Sequence, residues 1–444
     1  MRIPVGEAAR AVGGRVVGNA TDVCDAVSYD SRTLAAGNLF VAIVAARDGH
    51  DFVDDAVRAG SGAVLVSREI PECRVPQIVV DDTSVALTAL GRWARARIDA
   101  RVAGRVVGIT GSVGKTTTKD FVAAALRARY VVGASEKSLN NDQGMPVTLL
   151  NAPDDAEALV LEMGMRGFGE IARLAELARP DIGIVTRVGE SHSERVGGIE
   201  GVARAKSELV AALPANGVAI LNADDPRVLA MRGLTDGKCL TFGAANDADM
   251  RVGNVVARGA DGTSFSYDSR WGGGTCTLGV PGAHMVSNAA AALLAAAVCG
   301  VDLAAAADAL ARTELSPMRM AVHRVGALTV VDDTYNASPT STMAALETLA
   351  EIPASRRIAI LGTMAEIDEP ERRHRDVALR AQDLGIDVVA FATDLYGTRR
   401  VDSYDGALAV VRDLPEDGAV LLKGSRVVGL DRIVQLLLAS NLGA

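Results

Sequence analysis

At 444 residues the chain is too long for one hydrophobic core and divides into several domains. A hydrophobic content of 49% with only 3% aromatic residues points to cores of Ala, Val, Leu and Ile. The net charge of −9 argues against a surface that tracks a polyanion, so nucleic acid is not an expected partner; a local loop can still hold a phosphate against the global field.

Met1 to Arg10 contains Glu7 and no apolar run of the export-signal kind. Residues 1–102 read as a first unit, with strands at Ala63–Val66 and Gln77–Val80 and a helix from Ser84 to Ala100. Arg101 to Arg105 reads as a linker. A second unit, 103–312, opens at Val106 and continues through the apolar runs Ala158–Leu161, Asp181–Val185 and Val218–Leu221. Short continuous runs separated by helical segments are what a parallel sheet covered on both faces requires. Residues 239–280, rich in Gly, Thr and Ser, suggest a small antiparallel appendage, and Asn288 to Arg312 returns to Ala-rich helix. A third unit, 313–444, places strands at Leu328–Val331, Arg357–Leu361, Val388–Phe391 and Ala419–Leu422, a second doubly wound sheet. The fold class is therefore α/β throughout. Cys24, Cys73, Cys239, Cys276 and Cys299 are scattered without CxxC spacing, as reduced thiols would be. The longest apolar stretch, Ala289–Val301, is too short to span a bilayer, so a soluble, cytoplasmic protein without membrane insertion is expected.

The most informative segment follows the apolar pair Val106-Val107: Gly108-Ile-Thr-Gly-Ser-Val-Gly-Lys-Thr-Thr-Thr-Lys-Asp120. A strand, a glycine-rich turn and a helix start place backbone N–H groups and the positive helix end around phosphate oxygens. Gly111, Ser112 and Gly114 would form that cradle. Lys115 would reach the β/γ-phosphates, and the Thr116 hydroxyl, followed by Thr117, would ligate Mg²⁺. Five residues rather than four separate Gly108 from Gly114, so the spacing is not the strict P-loop pattern.

Further polar groups follow the central strands, where open α/β sheets bind ligands. Glu162 ends one run and could hold Mg²⁺, or could simply face solvent. His192 follows the next strand, where a lone histidine is more often structural than a ligand. Lys206 sits on the following helix, where a lysine is usually solvated.

Together these segments resemble the Mur ligase family, ATP-dependent amide-forming enzymes of peptidoglycan precursor synthesis, over essentially the whole chain. Thr110 to Thr117 matches the family's ATP loop, including its longer glycine spacing, and Asn140-Asn141-Asp142-Gln143-Gly144-Met145-Pro146 resembles its Asn-Asn-x-x-Gly-x-Pro segment. The resemblance implies three domains: a small N-terminal α/β domain binding a UDP substrate, a central P-loop parallel-sheet ATPase domain, and a C-terminal Rossmann-like domain that closes over ATP and binds the incoming dipeptide. It implies that Glu162 is a magnesium carboxylate and His192 a ligand of a second magnesium, with Lys206 carbamylated by CO₂ as a further ligand. Asn288, in Gly282-Ala-His-Met-Val-Ser-Asn288, would contact adenine, Asp333 would bind ribose, Arg319 would approach the phosphates, and Tyr335 and Asn336 would line the nucleotide. Ser31, Arg32, Phe40 and His50 fall in the segments resembling the family's uridine-diphosphate site, and Asn140 and Asn141 join them as substrate contacts. Ala45-Ala46 stands where Gly-Glu is more usual, and Pro317-Met318 where a Gly more often precedes the arginine.

Within the family, Asp332-Asp333-Thr-Tyr335-Asn336-Ala-Ser-Pro339 and Lys423-Gly-Ser-Arg426 favour the branch joining D-alanyl-D-alanine to UDP-N-acetylmuramoyl-tripeptide (UDP-MurNAc-tripeptide) through an acyl phosphate. The implied cofactors are ATP, two Mg²⁺ and CO₂ as the lysine carbamate, and the implied state is a monomer. Two readings stay open beside it: another Mur-type or folylpolyglutamate-type amino-acid ligase, and a nucleotide-binding protein that uses the loop without ligation.

Overall fold

The computed structural model describes residues 1–136 and 139–440; residues 441–444 of the expected third unit lie outside the described residues. Three larger sheets follow one another along the chain. The first has five strands in the order Arg15–Val17, Gln77–Val79, Ala63–Val66, Leu39–Val41, Val27–Ser28, parallel except at Arg15–Val17. Ala63–Val66 is buried at every position, as a continuous apolar run covered on both faces must be. Helix Thr83–Val102 begins where the Asp82 carboxylate accepts the Ser84 and Val85 N–H groups. It takes in Arg101 and Val102, the first two residues of the expected linker, because Val102 is buried in the core; farther back, Gly91 lies directly on Pro146 of helix Gly144–Leu150, where an added Cβ would sit 2.9 Å from the proline.

The central sheet has nine strands, and its parallel core orders Val218–Asn222, Ile182–Val185, Val106–Thr110, Ala158–Glu162 and Val132–Ala134. The chain leaves Val106–Thr110 toward one side and later returns to its other side, which opens a crevice at the strand ends there. The expected appendage is instead a continuation of this sheet. Lys238–Gly243 pairs in parallel with Val218–Asn222, and Met250–Ala257, Thr263–Ser269 and Gly272–Leu278 extend it, the last two antiparallel. Phe242, Met250, Phe265 and Leu278 are buried in the core that also holds helix Ala283–Val298, so these strands have no separate core of their own. The Ala-rich segment is two helices, Ala283–Val298 and Leu303–Ala311, broken at Gly300 (φ 75°) and restarted by the Asp302 cap.

The third sheet has six strands, parallel except for the hairpin Ala321–Val325/Leu328–Asp332. Helix Pro339–Glu351 starts with a reciprocal Ser338–Ser341 capping box. It meets the central unit along an apolar seam in which Met285 and Val286 share a core with Leu346, Leu349 and Ile352. Gly282 approaches Thr348 so closely that a Cβ would lie 2.6 Å from its hydroxyl. At the opposite rim the contacts are polar. Thr340 donates to Glu190 at 2.9 Å, Arg373 lies 3.6 Å from the same carboxylate, and Arg195 pairs with Glu366 at 3.1 Å. Among the described residues no helix is long and apolar enough to cross a membrane.

Candidate active site

Parallel register brings the site together: Ile109 lies beside Glu162 and Thr110 beside Val185, so the loop, Glu162 and Thr186 emerge at one edge. Gly111 (φ 152°) and Gly114 (φ 82°) adopt backbone conformations that side chains disfavour. Space is equally restrictive, since a Cβ on Gly111 would sit 1.9 Å from Thr186 Oγ1 and one on Gly114 2.4 Å from Asn288 Oδ1. The loop is pinned from the neighbouring strand. Thr186 donates to the Val113 carbonyl at 2.6 Å, while Ser112 Oγ donates to Gly189 O at 3.0 Å and accepts Gly189 N–H at 2.8 Å. Gly111→Ala is therefore expected to cost about 1–3 kcal/mol of stability and to weaken nucleotide binding, checked by thermal melts with and without ATP.

Lys115, half-buried, donates to Gly111 O at 2.8 Å; burial, then the nearby Arg319 charge, push its pKa down while Glu162 opposes them. Thr116 Oγ1 donates to Glu162 Oε2 and Asn140 Nδ2 to Oε1, each at 2.7 Å. The solvent-facing alternative for Glu162 is thereby removed: it is 1% exposed and aimed at the loop. A hydroxyl beside a carboxylate is the hard oxygen set that suits Mg²⁺, which takes one or two carboxylates with phosphate and water. Among the described residues no group of three His, Cys, Asp or Glu side chains converges as a metal cage.

Lys206 lies inside helix Ile199–Ala211 at 2% exposure, not on a solvated face. It has no hydrogen-bond or ion-pair partner among the described residues. Burial, reinforced by the Lys115 charge, holds its pKa well below the usual lysine range. His192 (φ 63°) donates its backbone N–H to Glu366 O at 3.1 Å. Its Nδ1 lies 2.7 Å from Glu366 Oε2 at ion-pair distance, without hydrogen-bond alignment. Burial lowers its pKa, Glu366 opposes, and Lys115 and Lys206 add to the lowering, so the ring favours its neutral form.

The third unit supplies the opposite wall. The Arg319 guanidinium lies over the Tyr335 ring at 4.1 Å, and Lys423 Nζ bridges Asp333 Oδ2 (2.5 Å) and Asn336 O (2.8 Å). Between the walls is a cleft of about 1300 Å³, lined by Ser112 to Thr117, Asn140, Asn141, Glu162, His192, Lys206 and Asn288 on one side and Arg319, Asp333, Tyr335 and Asn336 on the other. Asn288 Oδ1 also accepts from Thr118 at 3.3 Å, bracing the loop.

None of the first-unit candidates lines this cleft. Arg32 is exposed and grips Asp30 through Nε (2.8 Å) and Nη2 (2.7 Å), beside half-buried Ser31. Phe40 and His50 correct the expectation. Phe40 is 1% exposed in a core with Val53, Ala56 and Val64 and offers no face to a ligand. His50 is enclosed, with Nδ1 2.6 Å from Asp48 and Nε2 accepting Ser67 N–H at 2.9 Å, so both nitrogens are committed to structure. Two further charged residues line the cleft: Lys423, which the sequence offers only as part of the Lys423-Gly-Ser-Arg426 motif, and Glu366. Lys423, a buried charge closing the apolar strand Ala419–Lys423, is of the type that marks a ligand edge, whereas Glu366 carries no local mark.

Residues 109–296 match the family described as Mur ligase middle domain, and residues 318–426 that described as Mur ligase, glutamate ligase domain. The chain is 35% identical to UDP-N-acetylmuramoyl-tripeptide--D-alanyl-D-alanine ligase of Mycobacterium tuberculosis, covering 99% of this chain and 98% of that protein. It is 37% identical to the Escherichia coli protein of the same name, over 82% and 80% of the two chains. Among solved structures it resembles MurF from Acinetobacter baumannii (26% identity, TM-score 0.86, 99% of both chains). It also resembles a MurF ligase from Thermotoga maritima in complex with ADP (27% identity, TM-score 0.79, 94% of this chain and 98% of that one).

Proposed function

The chain belongs to the Mur ligase family, and we propose that it is an ATP-dependent amide ligase joining D-alanyl-D-alanine to UDP-N-acetylmuramoyl-tripeptide. The observation that carries this reading is the convergence of the phosphate loop, the Thr116–Glu162 pair, the enclosed Lys206 and the Arg319/Asp333/Lys423 wall on one cleft. Residues 1–102 would bind the UDP substrate, 103–312 ATP, and 313–444 would close over ATP and seat the dipeptide. The protein would work as a monomer in the cytoplasm, where its nucleotide-sugar substrate is made.

A carboxylate is a poor acyl donor, so the γ-phosphoryl group passes to the tripeptide's terminal carboxylate; the dipeptide amine then attacks the acyl phosphate, and phosphate leaves. Bound Mg²⁺ supplies charge neutralisation on the phosphates; Thr116 and Glu162 would hold one ion, and His192 with a carbamylated Lys206 a second. Lys115 and Arg319 place positive charge where phosphoryl transfer develops negative charge. The opposed wall limits water, which would hydrolyse an acyl phosphate.

Purified protein incubated with ATP, Mg²⁺, D-Ala-D-Ala and UDP-tripeptide is expected to release phosphate only when both substrates are present, with the amide product read by mass. Turnover with a single amino acid or a folate would favour the other ligases, and hydrolysis without either substrate a nucleotide switch. His192→Ala is expected to raise the Mg²⁺ concentration for half-maximal rate with only a partial loss of turnover, since neutral imidazole is a second-choice ligand for a hard cation. An unchanged magnesium titration would leave His192 as the interdomain contact to Glu366.

A further inference from the structure

The covalent crossing from the central to the third unit, between helix Leu303–Ala311 and strand Ala321–Val325, carries Arg319. Its bend is unusual: Met318 (φ 62°) and Met320 (φ 53°), on either side of Arg319, both lie in the left-handed region without being glycine. Such a bend persists only if its surroundings hold it. On the far side it is held by the third unit, where Tyr335 N–H donates to Met318 O at 3.2 Å and Met320 N–H to Asp333 Oδ1 at 3.2 Å.

On the near side Leu315 packs against the core, and a side chain of the phosphate-loop helix takes the next backbone N–H. Asp120 Oδ2 accepts the Ser316 N–H at 2.8 Å, across 196 residues of sequence. Its other oxygen takes Lys119 Nζ at 2.7 Å, and both side chains are largely enclosed (Lys119 6% and Asp120 12% exposed). Lys119 in turn donates to Ser135 O at 2.9 Å, and Ser135 Oγ accepts the Glu162 N–H at 3.3 Å. The phosphate-loop helix, the magnesium-side carboxylate and the Arg319 crossing are thus tied through one buried ion pair. Asp120 does not line the cleft and touches no reacting group.

We infer that Asp120 is a positioning residue for Arg319. By clamping Ser316 to the helix that begins at the phosphate loop, it fixes where the strained bend delivers the guanidinium relative to Lys115. This inference rests on the ATP-ligase reading for its kinetic consequence and on geometry alone for the clamp.

The test uses the full chain with Asp120→Ala, Asp120→Asn, Arg319→Ala and the Asp120→Ala/Arg319→Ala double variant. Asp120→Ala is expected to lower kcat about 10- to 100-fold, the scale of a small misplacement remote from the chemistry, with a much smaller change in KM for ATP. Asp120→Asn, which keeps an acceptor for Ser316 N–H, is expected to recover most of that loss. In the Arg319→Ala background, removing Asp120 is expected to have almost no further effect, because residues acting as a unit are not additive. Equal fold-losses in the two backgrounds would overturn the proposal. Should the alanine variant not fold, Ser316→Pro removes the donated N–H and leaves the ion pair intact; it should show the same loss, and wild-type turnover there would also overturn it. Hydrogen exchange without nucleotide reads the clamp independently of function: exchange across residues 313–336 should quicken in Asp120→Ala while that of helix Lys115–Arg127 stays unchanged. That result in a protein that proves not to ligate would sink the ligase reading and retain the clamp, and unchanged exchange would sink the clamp.

Discussion

Lys206→Ala will lose most turnover, roughly 100- to 1000-fold in kcat, with ATP affinity changed far less. A plain ammonium at 2% exposure, with no acidic partner and Lys115 as its charged neighbour, is electrostatically misplaced. Its low pKa makes the neutral amine accessible, and the neutral amine is the form that takes up CO₂. A carbamate there would replace a positive charge by an anionic oxygen pair, beside the Lys115 ammonium. Acetate is therefore expected to restore part of the activity of the alanine variant. A second arm is independent of turnover. In CO₂-free buffer without nucleotide, Lys206→Met should melt above the wild type, because an unpaired buried charge is exchanged for an apolar side chain of similar length. The sign with pH follows: the unfolded chain binds this proton more tightly than the folded one. The wild-type penalty is then full at low pH and fades as pH rises toward the ordinary lysine value, narrowing the gap in Tm. A fully active Lys206→Ala protein that melts like the wild type would leave Lys206 without a catalytic role.

Lys115→Ala is expected to abolish measurable ligation, a loss of about 1000-fold or more, while leaving the fold intact. Among the described residues its ammonium makes one hydrogen bond, to Gly111 O, and its removal leaves the Thr186 and Ser112 contacts that pin the loop. Lys115→Arg should fail nearly as completely, since a planar fork cannot replace a compact ammonium in a loop closed by its own carbonyl. Steady-state kinetics beside thermal melts decide the matter, and near-wild-type turnover in the alanine variant would remove the phosphate role from this loop. Removing Lys115 also removes a charge that adds to burial in lowering the Lys206 pKa, so the two substitutions should not be additive.

What could be read from sequence was what is contiguous. The loop from Gly111 to Thr117 declares itself because strand, turn and helix are adjacent, and Glu162, His192 and Lys206 were placed by strand ends and by family resemblance. Their meeting depends on strand order, which local periodicity does not encode. Thr186 closing on Gly111 and Lys423 meeting Asp333 across 90 residues are consequences of register. Phe40 was misread because a phenylalanine that stacks on a ligand and one that fills a core look alike inside Leu39-Phe40-Val41; burial on both faces of a parallel strand decided it. His50 was misread for the converse reason, since its partners Asp48 and Ser67 satisfy both ring nitrogens only once the loop is folded. The strands after residue 238 looked like an appendage because their alternation is local, whereas their core is shared.

The boundary between the central and third units is chemically lopsided. At the seam, separation would bare Met285, Val286, Leu346 and Leu349 to water; at the rim it would only trade Glu190, Arg195, Glu366 and Thr340 contacts for hydration. Partly exposed ion pairs are worth little net free energy, whereas apolar area is costly to uncover. The least costly displacement is therefore a rotation about the seam, not a sliding of one unit along the other. Helix Pro339–Glu351 carries both kinds of contact, Thr340 at the polar rim and Leu346 and Leu349 along the apolar seam, so a rotation about its seam end would part the rim first.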